Sequence, residues 1–557
     1  MKARVVNSRL RLLLLIILLT FAALGARAAW IQTVRASSLA AQAQAQTKAN
    51  LVLPARRGTI YDRLGTPLAI GEQATDVVAN PKQISDPRPE ARIVAKVLGI
   101  PVRPLYRELA DRSRGFVYVE RKAPPSRAKT LARRGLTGFT FYSDERRVYP
   151  QGTVAASVLG YAGTDNTGLA GLETELDKEL AGKPGSATVV RDALGRAVNT
   201  TQERPARDGH DVFLTLDSHI QANAEQVLEQ TVRAWHAKDA TAIVLDPHTG
   251  AILAMAQEPG YNANDYPDAV THGLTIDHGV NDVFEPGSVF KVVTIGGALS
   301  EHKVTPQTAF TLPYSIHVAD RIVHDAEARP TERMTVSQIL QRSSNVGAIT
   351  IAERYLGEIG LKRWMTRFGF GRRTGIDFPG ESAGLLPSYW SGSTIGNVPI
   401  GQGVSVTSIQ LASVYAAIAN DGEWIQPHLL DHVLGQQPPR LHRRRILAPG
   451  IDEELRTMLK GVVSDQGTAQ LAAIPGYTVA GKTGTAQKPG PHGYIPGAYV
   501  STFVGMVPES DPRLVVLVSV DEPHGQIYGG LVAAPAFEQI ASFDLQYLEV
   551  PPDLRIR

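Results

Sequence analysis

"TAIVLDPHTGAILAMA", Thr241 to Ala256, is two apolar runs about a Pro-His-Thr-Gly break. Short apolar runs on either side of turn residues predict a β-hairpin. Just before it, "IQANAEQVLEQTVRAW" (Ile220–Trp235) spaces its apolar residues as an amphipathic helix does. Helical stretches occupy the middle of the chain. Later, "YTVAGKTGTA", "STFVGMVP" and "RLVVLVSVD" read as three strands, and "APAFEQIASFDLQYL" as a closing helix. A hairpin, helices, three strands and a last helix describe an antiparallel sheet with helices packed on it. The expected class is therefore α+β, without βαβ alternation.

Toward the N-terminus the texture changes near "RPARDGHDVFLTLD". From Leu51 to about Arg207 the chain is dense in Gly, Pro, Arg and Asp, with short apolar runs. "RRGTIYDRLGTPLA" (Arg56–Ala69) reads as strand, turn at Leu64-Gly65, and strand, with Arg57 and Asp62 able to pair. "GLAGLETELDKELAGKPG" (Gly168–Gly185) has helical spacing at Leu172, Leu176 and Leu180. An elongated α/β pedestal over 32–207 is expected, opening on a polar helical stalk "SSLAAQAQAQTKAN", and a second domain over 208–557. Before the stalk, residues 1–9 carry Lys2, Arg4 and Arg9, and Leu10–Ile31 is mostly apolar. About 20 apolar residues span a bilayer. Arg11 and Arg27 can snorkel to its two interfaces. Positive charge ahead of the span keeps the tail cytoplasmic and exports the rest. Ala26-Arg27-Ala28 resembles a signal-peptidase site, the competing reading; an uncleaved anchor is the expectation.

Composition narrows the chemistry. A net charge of +3 over 557 residues, with no long basic run read beyond the N-terminus, makes no case for nucleic acid. The chain has 0 cysteines, which excludes disulfides, thiolate metal sites and a cysteine nucleophile. No metal or cofactor is expected.

The reactive candidates begin with "DVFEPGSVFKVV" (Asp282–Val293), where Ser288 and Lys291 are nearly one helical turn apart after Pro286-Gly287. A serine hydroxyl attacks only when a neighbour takes its proton, and a lysine does so when its pKa is lowered. The plain structural reading is a helix-capping serine with a surface lysine. A second S-x-x-K, Ser126 to Lys129, follows Pro124-Pro125 and reads as an exposed helix start. Two later patterns separate the pair: Ser343-Ser344-Asn345, then Lys482-Thr483-Gly484-Thr485 on an apparent strand. S-x-x-K, S-x-N and K-T-G in that order accompany penicillin-interacting serine enzymes. His248 to Gly250 and Arg373 to Gly375 are near-misses to K-T-G outside strands.

Through these motifs the chain resembles the class B penicillin-binding proteins, membrane-anchored peptidoglycan D,D-transpeptidases, over nearly everything beyond the anchor. "RRGTIYDRLGTPLA", "RRVYPQGTVAASVLGYAG" and "GLAGLETELDKELAGKPG" are similar to the family's pedestal motifs. "IVLDPHTGAILAMA", "FEPGSVFK", "RSSN", "PIGQGVSVTSIQLASVYAAIANDG" and "AGKTGTAQ" are similar to successive parts of its transpeptidase domain. The resemblance implies that Ser288 is acylated by the D-Ala-D-Ala end of a stem peptide, with Lys291 as base. It implies that Ser343 relays a proton, Asn345 holds the donor backbone and Lys482 completes the polar network. Thr483, Gly484 and Thr485 would bind substrate, and the backbone N–H groups of Ser288 and Thr485 would form the oxyanion hole. Such a donor is worth about 2.7–4 kcal/mol. Implied partners are stem peptides, β-lactams, a membrane-embedded SEDS-type glycan polymerase and divisome proteins. The compact ending "DEPHGQIYGGLVAAPAFEQI" favours the division type over the elongation type. A β-lactamase or β-lactam sensor and an inactive divisome scaffold are the rivals; the pedestal argues against the first, the intact serine-lysine set against the second. Ser157, where the family often has histidine, and the loop "QKPGPHGYIPGAYV" depart from the pattern. His492 and His524 are expected to play no catalytic part.

Overall fold

The computed structural model describes residues 2–40, 48–191, 197–491 and 493–554. The chain divides into two compact units. The first comprises the chain up to Arg56 together with Gly182–Gly209. It contains the helix Lys2–Thr33. Within that helix Ser8–Thr33 is 26 residues long, and an 18-residue stretch of it has a mean hydropathy of 2.3, long and apolar enough to cross a membrane. The strands Lys48–Leu53, Gly185–Arg191 and Ala197–Arg204 form an antiparallel sheet in that order. Part of the expected helical stalk, residues 41–47, lies outside the described residues. Its end does not continue a helix: Lys48–Asn50 pairs with Thr188–Val190, and tertiary pairing overrides the Ala/Gln helix preference.

The second unit comprises Arg57–Ala181 and His210–Arg557. In its earlier part the long strand Pro67–Ala79 pairs with Val117–Ala123 and Phe139–Val148. Helices Pro87–Leu98, Val102–Ala110 and Pro125–Ala132 close a core of Val77, Val94, Leu98, Leu105 and Leu131 beside these strands. The expected strand-turn-strand is present: Ile60–Tyr61 pairs with Pro67–Ala69, and Asp62 accepts from the N–H groups of Leu64 and Thr66. Arg57 and Asp62 do not pair with each other. Arg57 reaches Glu173 at 2.6 Å and Asp177 at 2.7 Å, while Asp62 accepts from the Ser218 hydroxyl at 2.7 Å. Glu173 also receives Arg147 at 2.6 Å and is fully buried. These contacts split the expected helix: Gly171–Glu175 and Asp177–Leu180 are two short pieces that break at Leu176.

The later part holds a five-stranded antiparallel sheet. Its order is Ile252–Glu258, Asp239–Leu245, Leu514–Asp521, Gly493–Val507, Ala480–Gly490. The hairpin read first from the sequence thus forms one flank and the Lys482 strand the opposite edge. Residues alternate across a strand with period two. Ala242, Val244, Val516, Val518 and Phe503 face one core, with the helices Ser218–Trp235 and Ala534–Tyr547. Ile243, Leu245, Val515, Leu517 and Val504 face the other, with Lys291–Ser300 and Ser408–Ala419. Covering both faces explains why these strands read as unbroken apolar runs. "QKPGPHGYIPGAYV" is not a free loop among its described residues. Pro489 pairs with Tyr494 and Gly490 with Gly493, so it extends the hairpin of Ala480–Gly490 and Gly493–Val507 beyond a bulge.

Candidate active site

Ser288 lies in the 3₁₀ turn Gly287–Phe290, which runs into the helix Lys291–Ser300. It is half-buried and makes no capping hydrogen bond, and Lys291 is fully buried, so the plain capping reading fails. Glycine is required ahead of it. Gly287 has φ +58°, and its N–H donates to Gly401 O at 3.0 Å. A Cβ on Gly401 would stand 2.1 Å from Gly287 O. "GQGVSVTSIQ" therefore braces the Ser288 turn, and Thr407 with Gln410 caps the helix that follows.

Ser343 sits between the helices Val336–Gln341 and Asn345–Ile351 with φ +57°, a strained value for a non-glycine residue. Asp325 holds this turn. Its carboxylate accepts from Ser344 Oγ at 3.0 Å and Val346 N–H at 2.9 Å, and pairs with Arg329 at 2.6 Å. Asn345 is fixed by donating to His324 O at 3.0 Å.

The two lysines meet at this turn. Lys291 Nζ donates to Ser343 O at 2.6 Å, Asn345 Oδ1 at 2.8 Å and Ser343 Oγ at 3.2 Å. Lys482 Nζ donates to the same Ser343 Oγ at 2.9 Å. Both ammonium groups are fully buried, and their side-chain partners are hydroxyls and an amide. Burial brings Lys291 down to about 7, against a smaller upward pull from Asp325. Burial, then the charge of Lys291, holds Lys482 well below the ordinary lysine range. Ser343 Oγ can accept from one lysine while handing its own proton to the other, so protons can pass along the row.

The K-T-G strand lies at the sheet edge, against the Ser288 turn. A Cβ on Gly484 would stand 2.8 Å from Pro286 O. The closeness that glycine permits is to the chain itself. Thr483 Oγ1 is 2.8 Å from Thr468 Oγ1, and Thr485 Oγ1 accepts from Gly529 N–H at 3.1 Å. Glu285, three residues before Ser288, accepts from Gly403 N–H and from Tyr494 OH, each at 2.9 Å. Tyr494 ties the hairpin extension to the turn that carries the serine.

The structure thus brings Ser288, Lys291, Ser343, Asn345 and Lys482–Thr485 into one region. It leaves out Ser126 and Lys129, which are exposed on the helix Pro125–Ala132. His524 is exposed and offers its backbone N–H to Trp235 O; His492 lies outside the described residues. Asp325, Glu285 and Thr468 were not singled out from sequence. Glu285 stood inside the quoted "FEPGSVFK", whereas Asp325 and Thr468 lie in no motif.

The model of the penicillin binding protein transpeptidase domain matches residues 240–542, and that of the penicillin-binding protein dimerisation domain residues 52–214. The chain belongs to the class B penicillin-binding proteins. It is 34% identical over 575 residues to penicillin-binding protein PbpB of Mycolicibacterium smegmatis, covering 94% of this chain and 87% of that one. It is 32% identical over 561 residues to peptidoglycan D,D-transpeptidase FtsI of Escherichia coli, covering 99% and 94%. Among solved structures, penicillin binding protein 3 of Mycobacterium tuberculosis with aztreonam superposes with a TM-score of 0.71 at 30% identity, covering 90% of this chain and 98% of that one.

Proposed function

We propose that this penicillin-binding protein is a peptidoglycan D,D-transpeptidase in which Ser288 carries the acyl group. The observation that carries the reading is the shared hydroxyl of Ser343, held by two buried lysines at 3.2 and 2.9 Å. Ser288 Oγ attacks the penultimate D-Ala carbonyl of a stem peptide and its proton passes to Lys291. The N–H groups of Ser288 and Thr485 take the developing oxyanion. Ser343 delivers a proton to the leaving D-Ala amine, with Lys482 stabilising the exchange. An amine of a neighbouring stem peptide then attacks the acyl-enzyme, forming the cross-link and freeing Ser288. The Lys482 strand is at the edge of its sheet, so an extended peptide can lie along it, with Asn345 across the cleft. Thr483 and Thr485 bind the terminal carboxylate. β-Lactams acylate the same serine.

The division-type role rests on the likeness to FtsI. The anchor is the span within Ser8–Thr33, with a cytoplasmic tail and an exported catalytic domain beginning near residue 208. A SEDS-type polymerase and divisome proteins are its proposed partners. The test is fluorescent penicillin labelling of full-length protein against Ser288→Ala. Labelling of the wild type and none of the variant is expected; labelling that survives overturns the assignment. Lateral rather than septal placement of a tagged protein overturns the division role alone.

A further inference from the structure

Two basic segments far apart in sequence converge on the second unit: Phe368–Gly375, "FGFGRRTG", and Arg440–Arg445, "RLHRRR". The short strand Arg443–Arg445 pairs with Glu423–Ile425 and sets the Arg444 guanidinium 4.7 Å from the Trp424 ring centre. Arg444 also donates to the carbonyls of Arg367 and Phe368 at the end of the helix Gly357–Phe368. Beside it is a cavity of about 140 Å³ whose lining includes Arg372, Arg373, Arg444, Trp424, Thr366 and Thr374.

The charge around this cavity is unbalanced. Capping the helix accounts for Arg444. No such contact accounts for Arg372 and Arg373, which are exposed and, among the described residues, have no carboxylate at ion-pair distance. The acids nearby already hold other donors, Glu381 those of Thr374 on the cavity wall itself. Glu381 accepts from Thr374 and from Gly375 N–H. Asp377 accepts from the N–H groups of Leu429 and Leu430, and Glu423 lies 3.8 Å from Arg443. Burial, then Arg372 and Arg367, lowers the pKa of Arg444, as expected where cations crowd without an anion. At about 30 Å³ per water the cavity has room for roughly four or five. That suits one tetrahedral oxyanion, with the rest of a larger ligand outside in solvent. Planar guanidinium forks match such oxygens two at a time.

We propose that this pocket is a binding site for a phosphate group, either the free ion or the headgroup of a larger molecule extending into solvent. It is separate from the Ser288 chemistry, because no residue of that set lines it. The test uses the full-length protein in detergent. Titration with sodium phosphate, and separately with glycerophosphoglycerol, is followed by calorimetry and tryptophan fluorescence at constant ionic strength. Saturable binding is expected, weakened at least about tenfold in an Arg372→Gln/Arg373→Gln variant that still labels with penicillin. Tighter binding of the diester assigns a lipid-type headgroup; tighter binding of orthophosphate assigns the free ion. Saturation by neither, or equal binding by the variant, overturns the proposal.

Discussion

Two buried charge clusters, one around Glu173 and one around Ser343, solve the same physical problem in opposite ways. At Glu173 two guanidinium groups, Arg57 and Arg147, close on one carboxylate at 2.6 Å each, and Asp177 joins Arg57 at 2.7 Å. Burial works to lower Arg57, but Glu173 and Asp177 outweigh it and the group ends above its ordinary value. At Ser343 two lysines are buried as deeply, yet hydroxyl and amide oxygens replace the carboxylate in contact with them. There burial wins and both lysines are brought down. A buried cation beside its counter-ion stays charged and stabilises structure. A buried cation among neutral acceptors gives up its proton near neutral pH, which a base requires.

The sharpest break of the comparison is Lys291→Met. Removal of a base typically costs about 10²–10⁴-fold. The β-lactam acylation rate, measured by stopped-flow, should fall by that range, while any loss of stability at neutral pH stays below that of Glu173→Ala, because a buried Lys291 itself opposes folding there. Glu173→Ala should do the converse. It leaves two buried guanidinium groups short of their shared partner, a loss of about 3–5 kcal/mol in denaturant unfolding. The fraction still folded should acylate at the normal rate. Equal damage to both properties by either variant would erase the distinction.

Asp325→Asn probes the carboxylate that acts on Lys291. It weakens charge-assisted bonds to Ser344 and Val346 and takes the buried counter-ion from Arg329, with an expected cost of about 3–5 kcal/mol. Because Asp325 raises Lys291, its loss should move the acylation midpoint to lower pH. In the wild type the acylation rate should climb through pH about 7 and level above it as Lys291 loses its proton. The stability sign follows. Between about 7 and the unfolded lysine value of about 10.4, the unfolded chain binds more protons. Lys291 should therefore make stability increase with pH across that window, and urea unfolding of wild type against Lys291→Met isolates it. The smallest effect is expected of Tyr494→Phe, which removes one bond to Glu285. A drop in acylation of less than about tenfold fits a single hydrogen bond.

Much of the fold was legible because its signals are local. Unbroken apolar runs and turn residues announced the Thr241–Ala256 hairpin, and spacing announced the helices Ser218–Trp235 and Ala534–Tyr547. Where tertiary contacts decide, local reading failed. Leu172, Leu176 and Leu180 keep helical spacing across a break, and Lys48–Asn50 leaves its helical composition to pair as a strand. Arg57 found Glu173, far along the chain, instead of its near neighbour Asp62.

By itself the sequence determined the residue types, their order and their spacing: a serine and a lysine one turn apart, then S-x-N, then K-T-G. Those are covalent facts, sufficient to prefer Ser288 over Ser126. Only the tertiary structure decided that Lys291 and Lys482 are both without solvent and share one hydroxyl, that Asp325 holds that hydroxyl's turn, and that Gly484 makes room for Pro286. Desolvation is the sum of everything packed around a group. No short stretch of chain contains that sum, so the chemistry of the two lysines is set by the fold.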